Sequence, residues 1–140
     1  MSYIFIAIHR KMSHTPISRE SMRGLKAKRL EEDRIARINS IVDYIYRDAV
    51  RIATQIDESS CLYNLSEHGT PLDFYRENME EIIKDLKSLF PDCVVEYKTL
   101  KTVTARNGRK YDISKIDKDN ISDIRGRSTE IGEYIIVDWS

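Results

Sequence analysis

Cysteine, proline, glycine and histidine are all scarce in this chain, and each shortage removes a class of protein. Its 140 residues contain two cysteines, three prolines, five glycines and three histidines. Two thiols, Cys61 and Cys93, cannot build a disulfide framework. They read as free cysteines of a reducing, cytoplasmic compartment. No C-x-x-C or H-x-x-x-H spacing occurs. Cys61 and His68 stand seven apart, and a zinc site there lacks two further ligands, so no metal is expected. The glycines are scattered singly, which excludes a glycine-rich phosphate loop, and no G-x-S-x-G marks a serine nucleophile. Ser59, Ser60 and Cys61 are nucleophile candidates by type alone, with no base or orienting group in pattern around them. No catalytic site and no cofactor are therefore expected, and the chain is not read as an enzyme.

Long apolar runs are missing too. No stretch of about 18 apolar residues is present, so no membrane span is expected. The opening Tyr3-Ile4-Phe5-Ile6-Ala7-Ile8 is too short for a signal-peptide core, and Arg10 and Lys11 follow it rather than precede it. Residues 1–18 read as an N-terminal tail or a short strand, with a Ser/Thr/Pro-containing linker at 13–18. Residues 19–140 read as a single α+β domain, a size that buries an independent core.

What the chain does have is apolar periodicity. Ile35, Ile38, Ile41, Val42, Ile45, Ala49, Ile52, Ala53 and Ile56 recur at three- and four-residue spacing. They predict the core-facing stripe of a long helix from about Arg19 to Ile56. Its first part is more polar, is weakened at Gly24, and is expected to form a basic helical arm over residues 19–33. Residues 57–70 read as a connector. A second helix is predicted after Thr70, with Thr70 as cap and Pro71 at the first helical position. Its stripe is Leu72, Tyr75, Met79, Ile82, Ile83, Leu86, Leu89 and Phe90, and Pro91 stops it.

Strands follow. Alternation predicts one from Cys93 to Leu100 and a hairpin around Asn107-Gly108. A three-residue loop, 106–108, pairs Val103 with Tyr111 and gives Gly108 the left-handed bulge position. Residues 114–131 read as a long polar loop. Glu133 to Trp139 is apolar on both faces and should lie inside the sheet. The expected fold is two amphipathic helices packed on a small antiparallel sheet of three to four strands.

Charge is balanced at 23 Lys/Arg against 23 Asp/Glu, but it is not evenly spread. Residues 9–37 carry nine basic and four acidic residues, residues 55–96 three and ten, and residues 98–127 nine and four. Arg23, Lys26, Lys28 and Arg29 lie on the predicted basic arm. Arg106, Arg109 and Lys110 surround the hairpin tip, and Arg125 and Arg127 sit in a polar loop. These nine cations are the candidate binding residues. The pattern fits a non-enzymatic structural or interaction protein, whose partner is another protein or a second copy of the chain. The alternative is a sequence-independent nucleic-acid-binding module that uses the basic helix and the hairpin tip on phosphates. No helix-turn-helix, zinc-finger or RNA-recognition signature is present.

The helix ending in Leu89-Phe90-Pro91-Asp92, the strand after it and the closing Tyr134-Ile135-Ile136-Val137-Asp138-Trp139-Ser140 together resemble small proteins of nucleocytoplasmic large DNA viruses. The resemblance covers roughly residues 35–140. It implies a virion or accessory component and no catalytic residues.

Overall fold

A computed structural model describes residues 15–106, 108–116 and 128–140. Among these residues eight elements follow one another: helix α1 (Arg19–Gln55), strand β1 (Ser60–Asn64), a 3-10 turn (Leu65–Glu67), helix α2 (Leu72–Leu89), strands β2 (Val94–Thr104) and β3 (Lys110–Asp112), a second 3-10 turn (Ile113–Lys115), and strand β4 (Thr129–Asp138). The fold is α+β, as the segregated periodicities predict. The chain divides into two units, residues 1–37 and 38–140. The expected strand at residues 1–8 lies outside the described residues.

In the first unit, Ser18 starts α1. Its Oγ accepts from the Ser21 N–H at 3.1 Å, which satisfies one of the donors that a helix start leaves open. Every side chain from Thr15 to Asp33 is exposed. Met22, Leu25, Leu30 and Ile35 are exposed despite being apolar. Their spacing of three, five and five drifts around the helix and makes no seam.

In the second unit, the periodic stripe becomes a core. Ile38, Ile41, Val42, Ile45, Ala49 and Ile52 of α1 are buried. They form one cluster with Tyr75, Ile82 and Leu86 of α2 and with Cys61, Tyr63, Val95, Ile135 and Val137 from one face of the sheet. Ile35, grouped with this stripe by spacing, is instead exposed and belongs to the first unit.

The sheet is antiparallel in the order β1-β4-β2-β3. β4 is therefore internal, with Tyr134, Ile135, Ile136 and Val137 all buried. The hairpin register pairs Val103 with Tyr111, and Gly108 has a φ of +83°. That conformation suits glycine in a three-residue hairpin loop.

Three features differ from expectation. The connector 57–70 contains β1, so a strand separates the two helices. Five residues with one alternation, Cys61 and Tyr63 against Leu62, are too few to stand out, and their stability comes from pairing with distant β4. Second, β4 begins at Thr129, inside the expected loop, because its first residues pair with the far end of β2. Third, Pro71 rather than Thr70 is the residue before α2, and no side chain caps that helix.

Candidate functional site

Arg19, Arg23 and Lys26 follow one another at four- and three-residue spacing, which places them on one face of α1. None of them, nor Arg29, makes an ion pair among the described residues. Lys28 stands 4.0 Å from Glu32, and Arg34 forms a forked contact with Glu31 at 2.6 and 2.9 Å. The forked pair lowers the Glu31 pKa through its hydrogen bonds to Arg34. Residues 19–29, with five Lys/Arg and one acid, thus form an exposed cationic segment in which Lys28 alone meets an acid, Glu32, among the described residues.

The hairpin cations are placed differently. β1 and β3 are opposite edges of the sheet, yet side chains join them. The Tyr111 hydroxyl donates to Glu58 Oε1 at 3.0 Å, and Arg109 Nε stands 3.9 Å from the same oxygen. Lys110 Nζ donates to Glu67 and lies 3.4 Å from Glu130. Glu58 precedes β1 and Glu67 follows it, so the sheet curls until its edges are tied at both ends of β1. The Glu67 contact raises the Lys110 pKa. Of the three hairpin cations only Arg106 is exposed. Arg125 and Arg127 lie outside the described residues.

The curl encloses a cleft of about 780 Å³ over the sheet face that the helices leave open. Leu62 and Ile136 floor it, and Tyr134 closes one side. The Tyr134 hydroxyl shares a 3.1 Å hydrogen bond with Thr102 Oγ1 and accepts from Asn64 Nδ2 at 3.3 Å. At the rim Lys115 pairs with Asp138 at 3.2 Å, and Arg51 with Asp48 at 2.8 Å. The rim thus carries both signs of charge, already paired with one another.

Cys61 is not poised as a nucleophile, and the His68 ring is held in an aromatic stack. Cys61 is buried, and its Sγ–H donates to Asp48 Oδ2 at 3.5 Å. Burial first, and then the Asp48 charge, push its pKa up to about 12. It is therefore protonated at neutral pH, whereas a nucleophile must be a thiolate. His68 stacks on Tyr63, with centroids 4.1 Å apart and planes 6° apart, and meets the edge of Tyr44 at 4.9 Å. Among the described residues no three His, Cys, Asp or Glu side chains gather to hold a metal. No described helix is long and apolar enough to cross a membrane.

Burial lowers the His68 pKa from its ordinary 6.5, against the raising influence of Glu67 and Asp48. The folded state then prefers neutral imidazole. As pH falls below 6.5, the unfolded chain takes up the proton first and the fold loses stability. Urea midpoints should therefore fall between pH 7 and pH 5.5, and His68→Gln should flatten that part of the curve. An unchanged slope would show that other groups set it.

Arg23, Lys26, Lys28 and Arg29, the helical candidates named from the sequence, are all exposed on α1. Sequence reasoning missed Glu58, Glu67 and Glu130 as the partners of the hairpin cations. Their only local signal is charge, and what joins them is the curl of the sheet. The chain matches no protein-family model, no curated protein and no solved structure.

Proposed function

We infer that this is a non-enzymatic interaction protein, and that residues 19–29 of α1 dock on an acidic surface of a partner protein. The exposure of every side chain from Thr15 to Asp33 carries this reading. A helical segment with no core of its own gains little from propensity alone, since isolated helices of such length are marginal in water. A partner surface supplies the missing burial. Met22, Leu25 and Leu30 stand among the cations, and a surface mixing apolar and basic groups suits a protein partner better than a row of phosphates. Arg109 and Lys110 of the hairpin are already engaged with Glu58, Glu67 and Glu130, so they do not carry this reading. Such a role agrees with an assembly or accessory component, as the likeness to small viral proteins implies.

The test is fluorescence anisotropy with two labelled probes, an amphipathic Glu/Leu-rich peptide and a duplex DNA. The peptide is expected to bind with protection of the 19–33 amides from hydrogen exchange. The triple variant Arg19→Glu/Arg23→Glu/Lys26→Glu should weaken binding about tenfold or more, within the range that charge steering spans. Tight, steeply salt-dependent DNA binding lost in the same variant would replace the protein partner by nucleic acid.

A further inference from the structure

β2 is paired with β4 from Val94–Asp138 to Val103–Thr129. Among the described residues its other edge is paired only at Thr102, Val103 and Thr104, by β3. After Asp112 strand pairing ends and the chain turns through Ile113–Lys115, still close to the end of β2. Among the described residues no strand covers the outer edge from Val94 to Lys101. An open edge of eight residues is a template for another strand, and this one carries an apolar side chain at its end, Val94, which is 58% exposed.

The occupant follows from the sequence of the edge itself. Two copies of a strand that pair antiparallel about a two-fold axis perpendicular to the sheet must match residues whose numbers have an even sum. An odd sum would turn facing side chains to opposite sides. Centred on Tyr97, the segment Val94-Val95-Glu96-Tyr97-Lys98-Thr99-Leu100 sets Tyr97 against Tyr97, Glu96 against Lys98, Val95 against Thr99 and Val94 against Leu100. Glu96 and Lys98 are half-exposed on one face and 3.2 Å apart within the chain, so the two copies would form a four-charge cluster of alternating sign. The next registers on either side, centred on Lys98 or on Glu96, oppose like charges, which destabilise a strand pair. Lysine on a strand edge ordinarily guards against pairing. Here the matching glutamate of the second copy answers it in one register only.

We propose that β2 pairs edge to edge with β2 of a second copy in the Tyr97-centred register, joining two four-stranded sheets into one of eight strands. The contact uses none of the residues of the α1 surface, so either can fail without the other. Seven paired residues make a small interface, and the dimer is accordingly a weak, concentration-dependent one.

Sedimentation equilibrium of the full chain across the micromolar range tests this. The wild type should pass from monomer to dimer. Lys98→Glu alone sets acid against acid and Glu96→Lys alone sets base against base, and each should weaken the dimer more than about tenfold. An equimolar mixture of the two single variants should dimerise again, because each Glu then faces a Lys. Hydrogen exchange of the wild type gives an independent readout, with protection over residues 94–100 that grows with concentration. A wild type that stays monomeric, single variants that dimerise unchanged, a mixture of folded variants that stays monomeric, or protection confined to other residues would overturn the proposal. The α1 triple variant should dimerise as the wild type does.

Discussion

Ile45→Ala is expected to lower the unfolding free energy by about 3–4 kcal/mol, and Leu25→Ala, in the same helix, to change it by less than about 0.5 kcal/mol. Ile45 is 0% exposed, at the centre of the cluster that α1 shares with α2 and the sheet. Shortening it to alanine removes three carbons' worth of buried surface and leaves a cavity. Ile41 and Ala49, one helical turn away on either side, are themselves buried in the core, so the site collapses only in part. Leu25 is 56% exposed. Its replacement removes little burial, and alanine is if anything the better helix former. Urea midpoints with an unchanged m-value measure both. The contrast separates the two units of the chain by energy: a large loss at Leu25 would mean that residues 15–33 bury against something in the free protein. That result would also remove the main support for a partner docking on this segment.

The same contrast explains what the sequence made visible. The core stripe of α1 is legible because Ile, Val and Ala recur at helical spacing through the stretch that meets the core. The break at Ile35 is legible only weakly, since one more isoleucine in step looks like continuation. The arm is legible through its polar composition and Gly24. The hairpin register is legible because two local rules agree, the pairing of Val103 with Tyr111 and the demand for glycine in a left-handed position. β1 is not legible, because its five residues are strand only by virtue of β4, some seventy residues away in the chain. The cleft escapes for the same reason. Curling of a sheet is a sum of small twists over many strand pairs, and the contacts that close it, Glu58 to Tyr111 and Glu67 to Lys110, join residues that no local pattern relates. The open edge of β2 is a third case. Alternation reveals the strand, but only the short length of β3 reveals that most of the edge is left over.

Tyr75→Phe is expected to destabilise the protein by about 1–3 kcal/mol although it removes a single oxygen. The hydroxyls of Tyr63 and Tyr75 share a hydrogen bond of 2.6 Å, and the two side chains are 4% and 0% exposed. Tyr63 comes from β1 and Tyr75 from α2, so the bond stitches the strand missed by sequence to the helix most clearly announced by it. Removing one hydroxyl strands the other in an apolar setting with no water to replace the lost partner, and that desolvation is the larger part of the loss. Tyr63→Phe should act alike, since the phenyl ring keeps the stack on His68 and only the hydroxyl goes. The double variant should cost less than the two single losses added together, because no hydroxyl is left behind. The difference, about 1–2 kcal/mol, is the coupling that a double-mutant cycle reads. Titration supplies a second check. Burial, followed by the Tyr75 hydroxyl, raises the Tyr63 pKa above its ordinary 10. The folded state therefore holds this proton more tightly than the unfolded chain does, and its stabilising contribution declines as pH rises above 10. Tyr63→Phe should remove that share of the alkaline loss. Additive single effects, or an alkaline limb that Tyr63→Phe leaves unaltered, would mean that the two hydroxyls do not depend on one another, and that β1 is held against the helices by ring packing alone.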